Sequence, residues 1–128
     1  MSSHLAVISL LVPDYDEAIA HYCDELGFDL IEDSDLGGDK RWVLVAPPGS
    51  SETRLLLAKA VTPEQKARIG DQAGGRVFLI LHTDDFERDY RRFTGHVTFM
   101  ERPRYEAYGR VCVFRDRFGN LWDLLQPS

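Results

Sequence analysis

Apolar and polar positions fall into two matching series along this chain. Residues 7–14 read Val-Ile-Ser-Leu-Leu-Val-Pro-Asp and residues 78–85 read Phe-Leu-Ile-Leu-His-Thr-Asp-Asp, each an apolar run closed by an acid. A near-continuous apolar run of this length predicts a strand covered on both faces over Leu5–Val12, and Val77–His82 reads as a second strand. An aromatic and an amphipathic stretch follow each run, Tyr15-Asp16-Glu17-Ala18 and Phe86-Glu87-Arg88-Asp89. Asp14 reads as a helix cap, with Glu17 three residues on. Ile19, Tyr22, Cys23 and Leu26 then form one apolar stripe, and Gly27 fits the helix end. Phe86, Tyr90 and Phe93 make the equivalent stripe in the second half, with Gly95 in the place of Gly27.

The rest of each half predicts strands. Phe28–Ile31 is short and extended, Glu32–Lys40 is polar with a Gly37-Gly38 turn, and Arg41–Ala46 and Thr53–Ala58 are strands around a Pro47-Pro48-Gly49 turn. In the second half His96–Met100 is extended, Glu101–Tyr108 is polar with aromatics, and Gly109–Phe114 and Leu121–Gln126 are strands. Between the halves, Thr62-Pro63-Glu64-Gln65 is a compact helix start, with Gly70 expected to end that helix. The expectation is therefore an α+β fold: one domain, 1–128, of two repeated βαβββ modules, about 1–60 and 76–128, joined by a short helical connector.

Charge narrows the function classes. With 15 basic and 21 acidic residues the net charge is −6, which argues against nucleic acid as a partner. No apolar run approaches the ~20 residues of a membrane span, so no membrane partner is expected. The start Met-Ser-Ser-His-Leu-Ala has no basic segment followed by a long apolar one, and a cytoplasmic location is expected. Cys23 and Cys112 fit no metal-ligand spacing and read as buried free thiols.

Two βαβββ units, with Val12-Pro13-Asp14-Tyr15-Asp16-Glu17-Ala18-Ile19 and Leu26-Gly27-Phe28 at one end, resemble the vicinal oxygen chelate superfamily. That superfamily includes glyoxalase I, the bleomycin and fosfomycin resistance proteins and the extradiol dioxygenases. The segment Phe114-Arg115-Asp116-Arg117-Phe118-Gly119-Asn120-Leu121-Trp122-Asp123-Leu124 carries the same resemblance. It implies a curled mixed sheet with a concave cleft, a homodimer, and a divalent metal held by His or Gln, Glu, His and Glu from four strands. Here those positions fall on Val7, on Leu55 or Leu56, on Phe78 and on Asp123. Only Asp123 can ligate, so no cofactor is expected in the usual place. A divalent metal in a shifted site would use Asp123 and His82, with His4 completing it.

Several side chains are candidates for a ligand site. His82 interrupts an apolar strand and is the candidate catalytic acid/base. Arg41, His82, Glu101, Tyr108 and Asp123 are the candidate ligand-binding residues. Asp123 is alternatively paired with Arg41 or Arg110, and His21 is expected at the surface or an interface. Alternation puts Val7, Ser9, Leu11, Val43, Val45, Phe78, Ile80, Cys112 and Phe114 on the cavity face. Three readings follow. The first is a small-molecule-binding protein without the usual metal. The second is a lyase, isomerase or dioxygenase with an atypical metal site. The third is a non-catalytic structural dimer whose cleft is filled by its own side chains.

Overall fold

The computed structural model describes residues 1–128. Two compact units make up the chain, Met1–Arg68 and Ile69–Ser128. The fold is α+β: two mixed sheets with few helices. In the first unit the strands are β1 (Val7–Val12), β2 (Asp29–Gly37), β3 (Lys40–Ala46) and β4 (Arg54–Lys59), in the order β1-β4-β3-β2. β1 and β4 are parallel, and the other pairings are antiparallel. Helix α1 (Tyr15–Ile19) follows β1 and continues as a π-helical turn over Ala20–Glu25, while α2 (Pro63–Ala67) follows β4.

The caps expected from the sequence form. Asp14 accepts from the Glu17 amide at 2.9 Å. Thr62 accepts from the Gln65 amide at 3.1 Å, and the Gln65 side chain returns to the Thr62 amide. Each bond satisfies an amide that has no partner inside its own helix. Strand β2 is longer than expected, because its acidic stretch pairs along β3 through two register shifts. Gly70 does not end α2, which stops at Ala67. With φ +75°, Gly70 instead lets backbone approach backbone: a Cβ there would lie 2.3 Å from the Phe118 carbonyl oxygen.

Register fixes the two faces of this sheet. Leu10 and Val12 lie with Leu57, Val43 and Val45 under Ala18 and Tyr22, and all are fully buried. Val43 and Val45 therefore belong to the helix-covered face. Val7, Ser9 and Leu11 lie on the opposite face with Leu44, Leu56 and Trp42. The run Arg41–Ala46 is apolar at every position after the arginine, so its sequence fits either parity, and the expected cavity-face placement of Val43 and Val45 is wrong by one residue.

The second sheet is built from β5 (Leu79–His82), β6 (Thr98–Phe99), β7 (Arg104–Glu106), β8 (Gly109–Arg115) and β9 (Leu121–Pro127). Its order is β5-β9-β8-β6, with β7 also on β8. Helix α3 (Phe86–Phe93) covers one face. Phe93 packs edge-on to Phe114 and Tyr90 stacks on Phe99. Phe114 stacks on Trp122 at 5.7 Å, so Phe114 and Cys112 are helix-side core rather than cavity face. Within the polar stretch Glu101–Tyr108, residues 104–106 form a strand that pairs with β8.

The hairpin turn before β9 is centred on Asp116, which is buried. Its carboxylate accepts from the amides of Phe118 (2.9 Å) and Asn120 (3.0 Å), from Asn120 Nδ2 (3.0 Å) and from Trp122 Nε1 (2.9 Å). The Asp-x-x-Gly-Asn pattern is thus a fold element, tying the turn to the core tryptophan.

Candidate ligand-binding site

The arginines on the two central strands are struts. Arg41 lies over the Tyr15 ring at 5.2 Å, with Nη1 on Asp16 (2.9 Å) and Nη2 on Asp33 (2.7 Å). Hydrogen bonding from Arg41 lowers the Asp33 carboxyl below the ordinary range. Arg110 repeats the arrangement, over Phe86 at 4.4 Å and paired with Glu87. Both arginines tie a helix-start aromatic to the sheet through a cation–π contact and an ion pair. Neither pairs with Asp123.

Asp123 lies on the uncovered face of the second sheet, between Ile80 and Val113. Its Oδ1 is buried and has no hydrogen-bond partner. Burial raises the Asp123 carboxyl above its ordinary range, Arg104 opposes that shift and Glu101 reinforces it. Glu101 is committed elsewhere. It accepts from Arg104 Nε at 2.9 Å and from the Val113 amide at 2.9 Å. His82 shares the face but sits two residues further along β5, so its Cα is about 8 Å from that of Asp123. His82 and Tyr108 are both exposed. His21, expected at a surface, is fully buried and bonded through Nδ1 to Glu25 at 2.7 Å. The π-helical turn, closed by Leu26 N–H to the His21 carbonyl at 3.0 Å, moves it off the outer face.

The raised Asp123 carboxyl has a consequence for stability. Such a group favours folding while protonated, and that contribution is lost as pH rises through its folded value. Asp123→Asn keeps the shape and removes the buried charge. We expect the variant to match wild type near about pH 3 and to be the more stable of the two near about pH 7. Denaturant melts across that range check it, and equal stability at both ends would contradict it.

A larger opening lies at one end of the first sheet, where β1 and β4 run out and β3 begins. Its volume is about 1010 Å³, at the top of the ~300–1,000 Å³ typical of small-molecule pockets. Leu11, Leu56, Ala58 and Trp42 supply an apolar floor. Leu36 (53% exposed) and Val61 (70%) leave apolar surface open at the mouth. Thr62 and Gln65 of α2 line it too, as do Lys40, Lys59 and Lys66. The Trp42 side chain makes no hydrogen bond within the protein, which leaves its indole N–H as a free donor.

Of the candidate ligand-binding residues Arg41 lines this cavity, and of the expected cavity face Leu11 does. His82, Glu101, Tyr108 and Asp123 belong to the second unit. Trp42 and the lysines were not anticipated, although the lysines had a signal: all three in the chain fall between positions 40 and 66. The donor set does not fit the family's usual metal. Val7, Leu55, Leu56 and Phe78 carry no ligating atom, and no three His, Cys, Asp or Glu side chains gather into a metal-holding group.

Known proteins place the chain. An uncharacterized protein of Shewanella frigidimarina (strain NCIMB 400) is 56% identical over 128 residues, covering 98% of this chain and 95% of the relative. Among solved structures, UcmS2 superposes with a TM-score of 0.82 at 30% identity, covering 98% of both chains. TnmS3, an antibiotic binding protein from Streptomyces sp. CB03234, gives 0.78 at 34%, covering 99% of this chain and 98% of its own. The sequence model of one family matches residues 3–124, and the chain belongs to the Glyoxalase/Bleomycin resistance protein/Dioxygenase superfamily.

Proposed function

We propose that this protein binds a small, partly apolar molecule in the cavity of its first unit, without the family's usual divalent metal. The observation that carries the reading is the floor of that cavity. Trp42, Leu11, Leu56 and Ala58 present open apolar surface beside a free indole N–H. Apolar lining with a few polar groups is the general form of a small-molecule site. That a structural neighbour at 34% identity is an antibiotic binding protein supports the same reading. The reading retains the homodimer and the cytoplasmic location.

The test uses N-phenyl-1-naphthylamine, a neutral aromatic dye that brightens in apolar sites. Saturable binding at one dye per chain, with quenching of tryptophan emission, is expected. A linear, non-saturating rise would contradict the proposal.

A further inference from the structure

The cavity gathers every lysine in the chain. Lys40 opens β3, Lys59 closes β4 and Lys66 stands in α2, and all three line the one cavity. They come from three elements, so the fold, not sequence proximity, brings them together. None is ion-paired, although the chain carries a net charge of −6. The remaining cation of the lining, Arg41, is neutralised by Asp16 and Asp33. Asp39 is the single acid of the lining.

We propose that the ligand carries an anionic group, a carboxylate, sulfonate or phosphate, on a planar apolar body, and that these three lysines select it. The inference rests on the cavity being the ligand site. Trp42 and the leucines take the apolar body, while the lysines make a local positive field at the mouth of an acidic protein. Lysine suits this task because its ammonium is a mobile point charge that follows an anion of any geometry. Lys40 and Lys66 are exposed and Lys59 half-buried, so exchanging their head groups leaves the core intact.

Two dyes with one scaffold separate the claims. N-phenyl-1-naphthylamine is neutral, and 1-anilinonaphthalene-8-sulfonate adds a sulfonate to it. The triple variant Lys40→Gln, Lys59→Gln, Lys66→Gln is expected to weaken the sulfonate dye about tenfold and the neutral dye less than about twofold. Raising salt from about 20 mM to about 300 mM should weaken only the sulfonate dye, by screening. The Glu triple variant should abolish sulfonate binding, and thermal melts of both variants check the fold. Equal losses for the two dyes, or none for the sulfonate, would overturn the anion inference and leave the cavity reading standing. If neither dye binds wild type, both fall.

Discussion

Asp116→Ala is expected to cost about 3–5 kcal/mol and to lower the melting temperature by about 10–20 °C. The carboxylate holds two backbone amides, an Asn120 amide group and the Trp122 indole. Asn120 and Trp122 are 2% and 3% exposed, so water cannot replace the lost acceptor without opening the turn. Each buried donor left without a partner costs about 1–3 kcal/mol, which makes the sum large even after relaxation. Asp116→Asn does not rescue it, because an amide turns an NH2 group toward donors. Gly70 backs the same turn, so a displaced Phe118 carbonyl has no room on that side. Guanidinium melts measure the effect, and a loss below about 1 kcal/mol would contradict this account of the turn.

Trp42→Ala is expected to weaken binding of the neutral naphthyl dye roughly 30-fold. An indole face in contact with a planar ligand removes on the order of 80 Å² of apolar surface from water, about 2 kcal/mol. The residue stands on the open face of β3 and is half-buried, so its loss spares the core beneath α1. Stability should therefore change far less than affinity. The comparison of dye titration with thermal melt reads the two separately. A variant that melts like wild type and binds the dye equally well would show that Trp42 is not part of the site.

The strand-to-helix starts were legible because cap, apolar run and helix stripe agree twice over. Asp14 with Tyr15 and Asp85 with Phe86 each start a helix where expected. Parity inside the apolar strands was not legible. Val43, Leu44 and Val45 are all apolar, and the side that meets α1 is settled by Arg41 reaching Tyr15 and Asp16. The struts made by Arg41 and Arg110 were not legible either, because their partners are 25 and 23 residues away along the chain. The cavity was hidden for a related reason. It is made from the ends of β1 and β4, the start of β3 and the connector α2, which only the folded sheet brings together. Its lysines were the one local clue.

Entry of a small molecule beside Trp42 is read most directly at the indole N–H. The chain has two tryptophans, so a nitrogen–proton correlation spectrum of labelled protein shows two indole signals. Trp122 is held by Asp116 at 2.9 Å in the core of the second unit and serves as an internal reference. On titration with N-phenyl-1-naphthylamine, the Trp42 indole signal is expected to move saturably with backbone signals near residues 36–42 and 56–66, while the Trp122 indole stays in place. A titration that moves the Trp122 signal and leaves Trp42 unchanged would contradict it.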